Sequence, residues 1–351
     1  MKKLQTTRAY KKRQQARMRR ALRDKRKRNK KKDNDKSIKF EEREIGYEKT
    51  VIRPVVEAPI DFRFLYNTEV CMNFFQNVRS KNYRSIKGSQ EFVEMSLSKV
   101  EKIDYSTISV LTAINDDFKY RGISLRGNFP IRESPKQYLI DSGFLNHMFD
   151  QKGKPFPKTK KSEVLFFEKG SHKFGYRENK RISSVVKNIS KHLMNEEKHN
   201  PRLRTILLEI FANSIEWGET QNKQWLLGVK YDDEKVILTV TDVGKGIVRT
   251  LYKKLDQKIL DKVKFKSNSD TLMGAFEKKY GSKSRMMNRN KGLPSIKKGF
   301  DEGIINELKV ITNNVVLHFD KLNETRTVKR GISWFKGTFY RCVITKDCLP
   351  N

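Results

Sequence analysis

Hydrophobic and polar positions in the first half of the chain follow helical and strand-like periods in turn. Helical character appears over 68–79, 106–120 and 134–142, most clearly where Ile108, Leu111, Ile114 and Phe118 form one apolar stripe. Strand-like segments cover 91–97 (EFVEMSL) and 122–126 (GISLR). The order strand, helix, strand, helix predicts a small α/β unit whose parallel strands are joined by right-handed crossovers.

The second half carries longer periodic segments. Helices are predicted over 178–194 and 201–217, each with apolar residues along one face, and a further helix has Pro294 in its first turn. Strands are predicted over 235–240 (KVILTV) and 336–345. This mixture of elements predicts an α/β fold class for the second half as well.

Composition and charge narrow the range of partners. Hydrophobic residues make up 36% of the 351 residues, and the formal net charge is +35. Such a charge favours polyanions, nucleic acid before an anionic membrane. Because no apolar run approaches the roughly 18 residues of a membrane span, and the N-terminus lacks an apolar signal region, we expect no span and no secretory signal. Three cysteines without a C-x-x-C pair indicate a reduced, cytoplasmic location.

Basic residues concentrate at the start of the chain. Residues 1–36 hold 18 Lys or Arg and three Asp, a net charge of +15. We expect this tail to be disordered alone and to contact nucleic acid through phosphates, with little base reading. A solubilising tail and a membrane-surface contact are the alternatives. Residues 37–60, punctuated by two prolines, are interpreted as a linker.

The predicted helix over 201–217 carries a carboxylate and an amide one turn apart. Glu209 and Asn213 share a helix face because they are four residues apart. An amide oxygen in this position can join a Mg²⁺ ion, and a carboxylate can orient a water for attack on a phosphate. By itself such a pair is usually only a solvated helix face.

Asp242 follows the predicted strand over 235–240 and starts the run Asp-Val-Gly-Lys-Gly. A buried aspartate at a strand end accepts hydrogen bonds only, which suits an exocyclic amine such as that of adenine. Gly244 and Gly246 allow the backbone to turn and to approach a flat base without a Cβ clash. A simple glycine turn after a strand is the alternative interpretation.

Two later segments add to this pattern. Asn290-Lys291-Gly292-Leu293-Pro294 leads into a helix whose first backbone N–H groups can hold phosphates. Gly337-Thr338 opens the last predicted strand.

In order and spacing, these four segments resemble the N, G1, G2 and terminal Gly-Thr motifs of GHKL ATPases, the superfamily of gyrase, MutL, sensor histidine kinases and anti-sigma-factor serine kinases. The resemblance covers about 175–351 and implies a Bergerat-type α/β sandwich that binds ATP and Mg²⁺. It implies that Asn213 coordinates Mg²⁺, that Glu209 is the general base, that Asp242 binds adenine N6 and that Thr338 supports the adenine contact. The other nucleotide-binding positions it implies are Gly244, Gly246, Asn290, Gly292 and Leu293.

One position departs from the family pattern. Asn290 stands where the G2 motif usually has its first glycine, and asparagine is among the residues that tolerate positive φ, so the resemblance implies nucleotide binding more directly than hydrolysis. Residues 250–291 are interpreted as a mobile lid, in which Lys283 and Arg285 are candidate γ-phosphate contacts. No histidine lies in the pattern that a histidine kinase requires.

The segment around Asp104 carries a second resemblance. Asp104-Tyr105-Ser106-Thr107 at a strand-to-helix junction is similar to the phosphorylated segment of STAS domains, the anti-sigma-factor antagonists, with Thr107 and Ser109 in place of two glycines. The resemblance implies that Ser106 is a candidate phosphoacceptor. From the residues alone, Ser106 is simply a helix N-cap.

The predicted organisation is a tail over 1–36, a linker over 37–60, a STAS-like domain over 61–160, a connector over 161–174 and a GHKL domain over 175–351. The leading functional hypothesis is a Mg²⁺-ATP-dependent switch that hydrolyses ATP, with a tail that contacts nucleic acid. A protein partner at the STAS-like domain and homodimerisation are expected to accompany it. The alternatives are a serine kinase or anti-sigma-like regulator acting on a STAS-type serine, and a non-enzymatic nucleic-acid-binding protein with structural ATP.

Overall fold

The computed structural model divides the chain into two compact units, Met1–Pro54 and Val55–Asn351. The structure describes residues 42–45, 48–51, 54–88, 90–150, 154–157, 165–170, 175–218, 225–254, 266–278 and 292–349. The predicted basic tail, Lys283, Arg285 and Asn290 lie outside the described residues. Among the helices that the structure describes, none is long and apolar enough to cross a membrane.

The linker prediction for 37–60 was wrong in part. In the first unit, β1 (Glu42–Ile45) and β2 (Glu48–Val51) pair as an antiparallel hairpin. In the second unit, β3 (Val55–Glu57) already belongs to a sheet. Val56 on that strand is 3% exposed, so burial of this residue supports the strand in a stretch interrupted by two prolines.

Residues 55–150 form what we call the N-terminal layer. Its further elements are β4 (Asp61–Phe62), α1 (Thr68–Val78), β5 (Arg84–Lys87), β6 (Gln90–Ser96), β7 (Lys102–Ile103), α2 (Tyr105–Tyr120), β8 (Ser124–Gly127) and α3 (Glu133–Asp141). Strand β6 pairs in parallel with β3 and β8, and the predicted parallel connection through α2 is confirmed. The antiparallel β5–β6 hairpin was not predicted.

A seven-stranded sheet organises the rest of the unit. Its elements in chain order are β9 (Leu165–Gly170), α4 (Tyr176–Met194), α5 (Pro201–Gly218), β10 (Trp225–Asp232), β11 (Lys235–Asp242), α6 (Ile247–Lys254), α7 (Asn268–Phe276), α8 (Gly292–Asp301), β12 (Asn306–Asn313), β13 (Val315–His318), β14 (Arg326–Thr327) and β15 (Phe335–Thr345). The strand order is β14-β13-β12-β15-β11-β10-β9, and every pair is antiparallel. Strand β9 lies within the predicted connector over 161–174, so the sheet begins earlier in the chain than predicted.

The sheet is covered on both faces, and β11 shows how. Leu238 and Val240 join the core formed with α4 and α5. The alternate residues Thr239 and Thr241 meet Ser109 of α2, with oxygen–oxygen distances of 3.0 and 2.9 Å. Because side chains of a strand alternate between faces, helices cover one face and the N-terminal layer covers the other. The α/β class is confirmed, with parallel pairing in the layer and antiparallel pairing in the sheet.

Aromatic side chains join the N-terminal layer to the sheet. The Phe64 ring lies 5.5 Å from the Phe335 ring and 5.3 Å from the Phe339 ring, measured between centroids. All three side chains are buried. The layer and the sheet therefore share one apolar core, which favours their unfolding as a single unit.

Candidate functional site

Helix α5 positions two of the predicted site residues. Its apolar face is buried in the helical layer through Leu203, Ile206, Leu207, Ile210 and Phe211. Beside that face, Glu209 is half-buried and Asn213 is 6% exposed. The pair therefore faces protein rather than bulk solvent, unlike the exposed carboxylate–amide pairs that are common on helix surfaces.

The first residue of α8 meets this pair. A Cβ built on Gly292 would lie 2.8 Å from Asn213 Oδ1 and 3.1 Å from Glu209 Oε2. Only glycine allows such an approach without displacing a neighbour. The amino-terminal end of α8, with its partial positive charge and unbonded N–H groups, therefore lies next to a carboxylate and an amide.

Close packing between helices fixes this position of α8. A Cβ on Gly299 would lie 1.9 Å from Ile206 Cδ1, so α8 and α5 approach each other at glycine. Leu293, also predicted to belong to the site, is 5% exposed and lies in the helical core. Its role in the structure is to anchor the first turn of α8.

Asp242 ends strand β11 and is 1% exposed. Its Oδ1 accepts a hydrogen bond from the Gly244 amide at 2.9 Å. Burial raises the pKa of the Asp242 carboxyl to about 7, while Gly244 and Thr338 lower it. Thr338 faces Asp242 across the β11–β15 pair, and its proximity lowers the pKa of the Asp242 carboxyl. Asp242 Oδ2 itself has no hydrogen-bond partner among the described residues.

The loop after Asp242 is fixed from strand β12. Gly246 has a φ of +80°, and a Cβ there would lie 2.6 Å from Asn313 Oδ1. Asn313 Oδ1 accepts from the Arg249 amide at 3.1 Å, and its Nδ2 donates to the Lys245 carbonyl at 2.8 Å. One asparagine therefore bonds both sides of the glycine turn. The sequence motifs gave no reason to single out Asn313.

The entry to strand β15 is equally close to Asp242. Gly337 has a φ of +143°, and a Cβ there would lie 2.0 Å from the Asp242 carbonyl oxygen. Thr312 Oγ1 donates to the Gly337 carbonyl at 2.9 Å and lies 3.4 Å from Thr338 Oγ1. Thr338 itself is 1% exposed. The Gly-Thr pair is therefore held on both sides, by β11 and by β12.

Three buried polar atoms on these segments have no hydrogen-bond partner among the residues that the structure describes. They are Asp242 Oδ2, Asn213 Nδ2 and Tyr340 Oη. Tyr340 lies two residues after Thr338 on β15, so the two side chains point to the same face of the sheet. Buried polar groups are nearly always satisfied, so a ligand that supplies the missing partners fits these positions.

Tyr340 was not predicted to belong to the site. Strand alternation from Thr338 was the signal that could have found it, because residues i and i+2 share a face. Burial raises its pKa well above the ordinary value, and the charge of Asp242 adds to that shift. Its hydroxyl is therefore neutral and can both donate and accept.

Ser106 is placed differently from the other predicted residues. Helix α2 begins at Tyr105, and its N-cap is Asp104, whose Oδ1 accepts from the Thr107 amide at 2.7 Å. The prediction that Ser106 caps this helix was wrong, because Asp104 already makes that bond. Ser106 is 4% exposed, in the N-terminal layer. Thr107 bonds the Phe64 amide at 2.9 Å instead of leaving the turn open as a glycine would.

Among the described residues, the side chains of this site do not form a complete set of metal ligands. Within the described ranges, no three His, Cys, Asp or Glu side chains lie together as a metal-binding group. Mg²⁺ commonly takes one or two protein oxygens and completes its shell with phosphate and water, so Asn213 with a bound triphosphate remains a suitable set of ligands.

Comparison of the chain with protein-family models, with curated proteins and with solved structures gave no match.

Proposed function

We propose that residues 165–349 form a GHKL-type domain that binds ATP with Mg²⁺. The observation that carries the proposal is the contact of Gly292 with Glu209 and Asn213. Three groups with complementary roles toward a phosphate chain meet there, from two segments far apart in sequence. Unpartnered buried atoms on Asn213, Asp242 and Tyr340 support a ligand along the same face of the sheet.

Adenine fits the Asp242 end of this face. An ionised Asp242 accepts only, which matches the N6 amine of adenine and opposes the O6 carbonyl of guanine. The Tyr340 hydroxyl can donate to adenine N1, whereas discrimination against guanine comes from Asp242. Gly246 and Gly337 allow this corner to pack closely, because a Cβ there would meet the Asn313 side chain or the Asp242 carbonyl.

Phosphates fit the other end. The first turn of α8 presents backbone N–H groups with a partial positive charge, beginning at Gly292. The Asn213 amide oxygen would hold Mg²⁺, which when bound neutralises phosphate charge. Glu209 would orient a water molecule toward the terminal phosphate and accept its proton. These roles make ATP hydrolysis the reaction that this arrangement supports best.

The N-terminal layer, which we propose to be STAS-like, gives this ATPase the form of a switch. It covers the face of the sheet opposite the helices and shares an apolar core with that face, which is the route proposed for a change in the site to reach the layer. Phosphorylation of Ser106 is not part of the proposal, because a residue that is 4% exposed at a buried helix start is poorly accessible to a kinase. The serine-kinase alternative therefore receives no support from this residue.

Nucleic acid is the partner proposed for the basic tail, residues 1–36. Their net charge of +15 accounts for much of the total of +35. Lysine and arginine at this density neutralise phosphates and release counterions.

Calorimetric titration of the full chain with ATP and with GTP, in the presence of Mg²⁺, tests the nucleotide proposal. We expect ATP to bind at least about tenfold more tightly than GTP, as one well-matched base edge allows. Glu209→Gln should retain ATP binding and lose phosphate release, whereas Asn213→Ala should lose the Mg²⁺ dependence of binding. Equal affinity for both nucleotides, or none for ATP, would contradict the proposal. Wild-type phosphate release by Glu209→Gln would remove Glu209 as the base.

A further inference from the structure

Arg79, the first residue after helix α1, reaches out of the N-terminal layer to the sheet. Its Nη2 donates to the Val243 carbonyl at 2.5 Å, and its Nη1 donates to the Lys336 carbonyl. Val243 directly follows Asp242, and Lys336 directly precedes Gly337. One guanidinium group therefore joins the two backbone segments that frame the buried carboxylate.

This bridge depends on the shape of arginine. The planar guanidinium presents two N–H groups in fixed directions, so it can hold two carbonyls at a set separation. Lysine has one flexible ammonium group and cannot set that separation. Asn73, on the same helix, also bonds the sheet region, accepting from the Ser333 amide at 2.8 Å, but it lies outside the frame of Asp242.

We propose that Arg79 is a positioning residue through which the N-terminal layer holds the base-binding corner of the site in shape. The effect of Arg79 on nucleotide binding rests on the proposed function. The geometric content of the proposal, that Arg79 fixes the segments around Asp242 and Gly337, does not depend on a nucleotide. A ligand or partner that moves α1 would then alter nucleotide affinity through this one side chain.

Charge gives Arg79 a second effect on the same corner. Burial lowers the pKa of Arg79 to about 10, so it stays charged at neutral pH. Its charge lowers the pKa of Asp242, which favours the ionised acceptor. The other charged or titratable groups that act on this corner are Tyr340 and Lys336 on β15, Arg249 on α6, Asp117 on α2 and Arg121, the first residue after α2.

Three variants of the full chain separate the effect of the two Arg79 hydrogen bonds from the effect of its charge. Arg79→Gln removes both the fork and the charge, Arg79→Lys keeps only the charge, and Asn73→Ala removes a neighbouring contact of the same helix. Hydrogen exchange of the nucleotide-free proteins is measured at residues 243–247 and 336–340. We expect at least about tenfold faster exchange there in both Arg79 variants, the loss expected for hydrogen bonds from a charged group. Asn73→Ala should leave these segments unchanged.

ATP affinity as a function of pH provides the second measurement. Arg79→Gln should weaken ATP binding near neutral pH about tenfold and move the pH midpoint of binding upward, because Asp242 loses a nearby positive charge. Arg79→Lys should weaken binding while leaving the midpoint near that of the wild type. A purely structural contact would change stability without moving the midpoint.

The outcomes are distinguishable. Unchanged exchange at 243–247 and 336–340 in Arg79→Lys, in a folded protein, would overturn the positioning role whatever the nucleotide result. Faster exchange without any ATP binding by the wild type would support the positioning role and contradict the proposed function. If Arg79→Gln does not fold, Arg79→Lys and Asn73→Ala still decide the exchange test.

Discussion

Gly292 lies so close to Asn213 that a Cβ on the glycine would be 2.8 Å from Oδ1. This contact joins the start of helix α8 to helix α5. Glu209 Oε2 would be 3.1 Å from the same Cβ. A glycine in the first position of a helix has no intrinsic advantage for helix formation. Its presence is explained by the space that its missing side chain leaves beside two polar groups.

Alanine at this position provides a direct test. Gly292→Ala should reduce ATP affinity at least about tenfold, since the new methyl group pushes α8 away from Asn213 or occupies the space of a phosphate. Circular dichroism should show the fold retained. The measurement is calorimetric titration with ATP and Mg²⁺.

Gly299→Ala is the matched control on the same helix. Its methyl group would meet Ile206 Cδ1 at 1.9 Å, within the core and away from the Asn213 contact. We expect a lower unfolding free energy, by about 1–3 kcal/mol, and near-normal ATP affinity in the folded protein. If both variants lose stability and affinity in the same proportion, the contact at Gly292 is structural only.

Asp242 predicts a pH dependence of stability in the nucleotide-free protein. Its folded pKa of about 7 lies above its ordinary value, so the folded state holds a proton that the unfolded state has lost. Its contribution to stability therefore decreases as pH rises from about 4 to about 7 and stays constant above that. Asp242→Asn should remove this loss. At about pH 7 and above, the unfolding free energy of the variant should exceed that of the wild type by up to about 4 kcal/mol.

Urea unfolding at about pH 5 and about pH 8 measures this difference. Asp301→Asn, a change on the exposed side of α8, is the control and should show no such gain. The same Asp242→Asn variant should bind ATP more weakly than the wild type at the higher pH. A variant that is less stable than the wild type at both pH values would contradict the assigned pKa.

Removal of the Tyr340 hydroxyl should stabilise the nucleotide-free protein. Because this buried hydroxyl has no partner in the described part of the chain, Tyr340→Phe should raise the unfolding free energy of the nucleotide-free protein by about 1 kcal/mol. It should also reduce the rise in Tm expected from ATP binding. Tyr252→Phe is the control, because Tyr252 Oη bonds Asn268 Oδ1 at 2.8 Å, and its loss should lower stability by a similar amount. Thermal unfolding of both variants, with and without ATP, is the measurement.

Deletion of residues 1–36 tests the tail. With 18 cationic side chains and Tyr10 as its aromatic residue, the segment should bind nucleic acid through phosphates, with steep salt dependence and little sequence preference. Fluorescence anisotropy with duplexes of unrelated sequence, from about 50 to about 200 mM salt, is the measurement. The truncated chain keeps a net charge of +20, so some binding should remain. If the full and truncated chains bind nucleic acid with equal affinity, the contact lies in the remaining residues and not in the tail.

Sequence pattern was sufficient where burial follows a local period. The helices over Tyr105–Tyr120 and Pro201–Gly218, and the strand ending at Asp242, were predicted to within a few residues. Each has enough apolar residues on one face to indicate its type without knowledge of its neighbours. Short pieces such as β9 and the β5 strand were missed, because four to six residues carry too little periodicity and their pairing partners supply the stability.

For this protein, the sequence by itself determined the α/β class, the basic charge, and the residue types on which the proposed magnesium-nucleotide site rests. It could not determine which polar atoms lack a partner, because that depends on every neighbour of Asp242, Asn213 and Tyr340. Nor could it show that Arg79 and Ser109 of the N-terminal layer contact the sheet beside Asp242. Contacts between residues distant in the chain arise from packing two faces of one sheet, and only the tertiary structure decided them.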